Sequence, residues 1–203
     1  IDELKIAIVD GTAPHIMDPV YPGLKDSIID LAQYIDMKKL IKQEEEIIEA
    51  TLKNKRAYFN AFSYLKASRY IFEMISEKNK LSVDFQKINK ITISLINNIF
   101  SKRAIANVES LFDDRHSFST ANTPFGIVDY TDSLLEGIED IYYVKGEIGT
   151  GKSTLINRIY DECRIRGYST EIYHDSTFPE KIETLIIKDL NICITSNING
   201  AKY

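Results

Sequence analysis

The chain has 203 residues, 44% hydrophobic and 27% charged, enough for one substantial core or two modest ones and inconsistent with wholesale disorder. Its 25 basic residues against 30 acidic ones leave a net charge of -5, without the basic excess that binding a phosphate backbone needs, so nucleic acid is not an expected partner. No apolar run approaches the roughly 20 residues of a spanning helix, and no basic segment leads into an apolar one at the start; the chain reads as cytoplasmic, without a membrane partner.

The first predicted element is a buried strand. Leu4 to Val9 is apolar and β-branched and ends on Asp10-Gly11-Thr12, followed by a loop that carries His15 and is punctuated by Pro14, Pro19, Pro22 and Gly23. From Leu24 the apolar residues recur at helical spacing, and one long helix, or two helices with a break, is expected from about Asp36 to Glu77, with Leu40, Ile41, Ile47, Ile48, Leu52, Phe59, Phe62, Leu65 and Phe72 on one broad face. Lys78-Asn79-Lys80 breaks it, Ser82 is placed to cap a second helix, and Phe85, Ile88, Ile91, Leu95, Ile96 and Ile99 form its apolar stripe. The economical arrangement is an antiparallel helical hairpin. Its aromatic residues interleave with Lys55, Arg56, Lys66 and Arg69, a pattern better explained by a seam between helices, or by an arm that docks a protein partner or covers a ligand, than by stacking on bases.

Beyond Ser101 the periodicity weakens, with Asp113-Asp114-Arg115-His116 and Asn122-Thr123-Pro124-Phe125-Gly126 as turn signals. From Ile141 strand and helix alternate: Ile141 to Val144, Ser153 to Arg166, Thr170 to His174, then Leu185 to Ile187 and Ile192 to Ile194. That alternation, with the glycine-rich Gly146 to Thr154 carrying GxxxxGK[ST] between its first strand and helix, predicts an α/β fold, a partial parallel sheet of the P-loop NTPase type, with the helical hairpin as a long insertion. The expected division is residues 1–23 as the end of a preceding P-loop half, 24–110 as the hairpin region and 111–203 as a truncated nucleotide-binding half. Cys163 and Cys193 lack CxxC spacing or nearby histidines and are expected as buried, reduced thiols.

The chemistry is concentrated in Gly146-Glu147-Ile148-Gly149-Thr150-Gly151-Lys152-Ser153-Thr154, which satisfies GxxxxGK[ST] and lies between the strand and the helix that the motif requires. Its glycines let the backbone turn tightly and aim N–H groups at phosphate oxygens, aided by the positive end of the following helix. In this reading Lys152 reaches the β and γ phosphates and Ser153 offers its hydroxyl to Mg2+. A guanine-reading NKxD is missing, since Asn89-Lys90-Ile91-Thr92 has no aspartate, which leaves ATP as the expected nucleotide.

Hydrolysis or transfer also needs an acid near the metal. Asp10 ends an hhhhD strand in the Walker B manner, and Asp175 follows the strand Thr170 to His174. Sliding the chain on itself sets Ile1, Leu4, Ile6 and Ile8 over Ile187, Leu190, Ile192 and Ile194, a faint repeat in which Asp10 falls on Ser196. The strand beside this loop is thus expected to end in Thr195-Ser196-Asn197 with no carboxylate. His174 lies where α/β sheets place ligand contacts, although packing explains it better, and His116 reads as a surface residue.

With these residues in view, the chain resembles a family of bacterial P-loop ATPase-like proteins, found especially among Firmicutes, with two similar P-loop halves joined through a helical region. Three segments carry the resemblance: Ile8 to Gly23; Arg115 to Phe118 with Asp132 to Gly137; and Val144 to Thr154 running on to Gly167-Tyr168 and Glu171 to His174. The resemblance implies a central fragment of a longer ATP-binding protein. It departs at Ser196-Asn197-Ile198-Asn199-Gly200-Ala201, where an Asp-(Gly/Ser)-Thr-Ala-Pro-His pattern is expected. The leading expectation is a protein acting on MgATP as an ATPase or phosphotransferase. The alternative is a nucleotide-gated interaction module with little or no hydrolysis.

Overall fold

The computed structural model describes residues 4–12, 17–101 and 114–197. His15 lies outside them. The chain divides into two compact units, Ile1–Phe59 and Asn60–Tyr203, with the boundary inside a long helix.

In the first unit, helix α1 (Met37–Lys42) starts where the Asp36 carboxylate accepts the N–H groups of Lys38 and Lys39. A break at Gln43 leads into α2 (Glu44–Lys80), whose first turn carries Glu44, Glu45 and Glu46, charges that suit the positive end of a helix. The strand expected over Leu4 to Val9 does not form. Leu4, Ile6, Ile8 and Val9 are all exposed, and none of the described residues of this unit is buried. Apolar, β-branched composition makes a strand only where a sheet offers it a ladder and a covered face.

The second unit holds the end of α2, helix α3 (Phe85–Phe100), strands β1 (Asp114–Phe118), β2 (Thr120–Thr123) and β3 (Gly126–Asp129), helix α4 (Thr131–Leu135), strand β4 (Asp140–Tyr143), helix α5 (Lys152–Arg166), and strands β5 (Thr170–His174), β6 (Ile182–Ile187) and β7 (Ile192–Thr195). Asp84, not Ser82, caps α3, accepting from the N–H groups of Gln86 and Lys87 at 3.1 Å. Leu95, Ile96, Ile99 and Phe100 of the α3 stripe pack into the core with α5 and the sheet while Phe85 and Ile91 stay exposed, and α2 and α3 follow one another without packing as a hairpin.

The fold is mixed α/β: long helices, then a five-stranded sheet ordered β1-β5-β6-β7-β4. β1 runs parallel to β5 and β4 parallel to β7, whereas β6 is antiparallel to both of its neighbours. The expectation of a parallel sheet is corrected here, and connection length is the reason. Residues 175–181 and 188–191 join β5 to β6 and β6 to β7, too short for a parallel crossover, which takes about a dozen residues or more. The link from β4 through α5 to β5 is long enough, and these two strands point the same way.

The main core lies between α5, α3 and one sheet face: Ile156, Ile159 and Cys163 meet Ile172, Leu185, Ile187, Ile192 and Ile194, together with Ile99 and Phe100. The other face packs Tyr173, Ile186 and Cys193 under Leu134, Leu135 and Ile138. Both cysteines are buried and unpaired with each other, as their context suggested, and burial pushes each thiol up to about 12. Neither should react with an aromatic disulfide reagent at pH 8 until the chain is unfolded, which a stopped-flow thiol assay with and without denaturant measures; rapid reaction of folded protein would contradict this packing.

Candidate functional site

The carboxyl ends of β1, β4, β5 and β7 lie along one edge of the sheet, where α/β proteins gather their ligand contacts. The glycine-rich segment 146–154 leaves the end of β4 and enters α5 at Lys152. Its shape follows from its glycines: Gly149 has φ +81° and Gly151 φ +95°, conformations that cost a residue with a Cβ. At Gly146 the constraint is space, since a Cβ there would lie 2.7 Å from Thr150 Oγ1.

Inside the loop Thr150 Oγ1 donates to the Glu147 carbonyl at 2.8 Å, and Lys152 Nζ donates to the carbonyls of Gly146 and Glu147 at 2.6 and 2.8 Å. The ammonium thus rests on the loop's own oxygens. Burial lowers its pKa, Glu147 opposes that shift and the charge of Lys181 reinforces it. The first helical bond of α5 runs from Leu155 N to the Gly151 carbonyl. Among the described residues the N–H groups of Gly149, Gly151, Lys152, Ser153 and Thr154 have no protein acceptor, and no hydrogen bond involves the Ser153 hydroxyl. The six residues Gly149 to Thr154 thus contribute five unengaged amides, an ammonium and a hydroxyl, donors that suit an anion.

Two contacts from α2 fix the outer side of the loop. Asn79 Nδ2 donates to the Ile148 carbonyl at 2.9 Å, and a Cβ on Gly149 would lie 2.5 Å from the Ser76 carbonyl oxygen. Sequence reasoning had no means of placing residues so distant in the chain against the loop.

The acid candidates fall out differently. Asp10 belongs to the first unit, where its Oδ1 accepts from the Thr12 N–H and hydroxyl at 2.9 and 2.7 Å. Asp175 lies at this edge of the sheet, but its Oδ1 accepts from Thr177 N and Phe178 N at 2.7 and 3.0 Å and closes the turn after β5. β7, which pairs with β4 through Tyr143 and Thr195, does end at Thr195 and is followed by Ser196-Asn197 without a carboxylate. Asn197 is spent on a buried polar network: its side chain donates to Asp129 Oδ2 and Thr131 Oγ1, both at 2.9 Å, and its N–H to Thr195 Oγ1.

A further acid was not anticipated. Glu183, near the start of β6, lies beside the end of β7, where Ser196 N and Oγ both bond its carbonyl. Its Oε2 is buried without a hydrogen-bond partner, and burial first, then the charges of Asp175 and Asp129, push the carboxyl up to about 7 against a weaker opposing bond from Thr120. The available signal was a single acid, Glu183, in the apolar run that follows Lys181.

His174 is also engaged. Its Nε2 lies 2.8 Å from Nδ1 of His116 and the rings stack with centroids 5.1 Å apart, so the two histidines that the sequence treated separately form one pair. Among the described residues no group of three or more His, Cys, Asp or Glu side chains is arranged to hold a metal ion, and no helix is long and apolar enough to cross a membrane.

Comparison of the chain with protein-family models, with curated protein sequences and with solved structures returned no match.

Proposed function

We propose that segment 146–154 is a P-loop that binds MgATP. The observation that carries this reading is the set of unengaged N–H donors of Gly149, Gly151, Lys152, Ser153 and Thr154, with the Lys152 ammonium resting on the same loop, between a parallel strand and the start of a helix. Phosphate oxygens would take over those donors, and Lys152 would exchange its two loop carbonyls for them. The Ser153 hydroxyl would hold the metal, which neutralises phosphate charge when bound. The sequence resemblance to two-half P-loop ATPase-like proteins supports the same reading, as does the strand-loop-helix order of the site.

The reaction is less well served than the binding. A strand without a terminal carboxylate beside the loop, and an Asp175 occupied in closing its own turn, favour slow turnover over an efficient ATPase or phosphotransferase. A second reading draws on the two contacts from α2: since Ser76 and Asn79 touch the loop directly, occupancy by nucleotide would bias the position of this helix and hence what it presents to a protein partner.

Calorimetric titration with MgATP and MgGTP, with phosphate release followed on the same samples, separates these readings. Lys152→Ala is expected to weaken MgATP binding at least about a hundredfold, the scale of losing several charge-assisted bonds. Binding by the unaltered chain with negligible phosphate release would favour the gated module. Release well above that of Lys152→Ala would establish an enzyme, and equal binding by the two proteins would eliminate the P-loop reading.

A further inference from the structure

The five-stranded sheet ends in β1 on one side and β4 on the other, and the two edge strands differ in composition. β1 reads Asp114-Arg115-His116-Ser117-Phe118, with charges of both signs on the strand itself, a common guard against pairing with another chain. β4 reads Asp140-Ile141-Tyr142-Tyr143 and runs on into Val144. Everything between Asp140 and Lys145 is uncharged and either β-branched or aromatic, the composition that favours a strand most and protects an edge least.

Only half of the β4 backbone is used within the chain. Asp140 N donates to the Asn191 carbonyl at 3.4 Å and Val144 N to the Thr195 carbonyl at 2.8 Å, so the even-numbered residues face β7. Along a parallel ladder alternate residues turn their N–H and C=O groups to opposite sides. Ile141 and Tyr143 therefore present theirs to the open edge, and among the described residues no strand pairs with them there. Tyr143 is 37% exposed, and Glu139 and Lys145, which flank the strand, are exposed as well.

From this geometry we infer that β4 is an interface for a second copy of the chain, whose own β4 pairs with it antiparallel about a two-fold axis at Tyr142 and continues the sheet. The register follows from direction and charge. Hydrogen-bonded pairs join residues whose amides face outward, which leaves Ile141 opposite itself, Tyr143 opposite itself, or Ile141 opposite Tyr143. The first sets Glu139 against Tyr143 and Lys145 against Gly137, and the second sets Glu139 against Glu147, a like-charge pair. The third brings Glu139 opposite Lys145 on both sides of the axis and joins Ile141 to Tyr143, a favourable cross-strand pair of β-branched and aromatic side chains. An edge that complements itself in this way selects its own copy as partner, since a two-fold interface repeats each contact.

The test is sedimentation equilibrium of the full chain over roughly 5 to 500 µM, where a monomer–dimer equilibrium is expected. Glu139→Lys and Lys145→Glu each set like charges opposite one another twice per dimer and weaken it about tenfold, and the two changes together restore it. A dimer that neither single change weakens, or that the double change fails to restore, overturns the inference. So does a chain that stays monomeric or one that associates beyond the dimer. Should a variant not fold, amide exchange of the unaltered chain followed by NMR provides the second measurement. The N–H groups of Ile141 and Tyr143 become protected as concentration rises, while that of Val144, already bonded to Thr195, changes little. Exchange at Ile141 and Tyr143 that ignores concentration overturns the inference: fast exchange throughout means an unpaired edge, and slow exchange throughout means an edge covered by the chain itself.

Discussion

Gly149→Ala is expected to destabilise the second unit by about 3 kcal/mol, whereas Gly151→Ala, a few atoms away, costs only about 1 to 2 kcal/mol. Both positions have a positive φ, which an alanine adopts under strain. Only Gly149 adds a collision, because its Cβ would lie 2.5 Å from the Ser76 carbonyl oxygen and 2.8 Å from Ser76 Cα, backbone atoms that cannot rotate away. At Gly151 the nearest atoms belong to the Ile88 side chain, 3.8 Å off. The excess at Gly149 is therefore the cost of that collision, which is relieved only if α2 and the loop move apart. Urea unfolding of the two variants measures it, and amide exchange in residues 73–80 locates it; equal losses, with α2 exchange unaltered, would show that the close approach contributes nothing.

Glu183→Gln should stabilise the chain at pH 8 by about 2 kcal/mol and leave it unchanged near pH 4, a figure reduced from the full shift because the side chain is partly exposed to solvent. The direction follows from proton binding. The folded state holds the Glu183 proton up to about pH 7, while the unfolded chain releases it near the ordinary value of 4.5. Below that value both states are protonated and the group adds no pH dependence. Between 4.5 and 7 only the unfolded state ionises, so stability falls as pH rises, and above 7 the penalty is constant. Burial is the main cause, followed by repulsion from Asp175 and Asp129, and glutamine removes the ionisation while retaining an acceptor for Thr120. Denaturation curves at pH 4, 6 and 8 check it; the same pH slope in both proteins would mean that Glu183 ionises freely.

The glycine-rich loop was legible because its spacing encodes backbone conformation: the glycines at 149 and 151 occupy the positions with φ above zero, and Lys152 opens the helix that the motif demands. The buried thiols and the strand ending in Ser196 were legible too, since local composition and pairing distance determine them. Strand direction was misread, although the lengths of residues 175–181 and 188–191 already excluded two of the parallel connections. Leu4 to Val9 has the composition of a strand, but composition cannot show whether a ladder is there to receive it. Glu183 could not have been singled out. Its character comes from partners far away in sequence, Thr120 and Asp129. Each of these is an effect of packing, and local patterns carry no record of it.

The short connections also predict an order for the assembly of the sheet. β5, β6 and β7 form a meander whose loops close cheaply, so these strands pair early. β4 joins afterwards, because Asp140 meets Ile192 only when α5 and the whole meander have been gathered between them. It takes an edge position, held in the sheet by β7 alone. The glycine-rich loop is attached to the strand that loop lengths predict to arrive last and, by microscopic reversibility, to depart first, an order that pulsed amide exchange would check. A ligand seated on that loop would favour the completed sheet over the partly opened one, and so would act as a kinetic brake on unfolding.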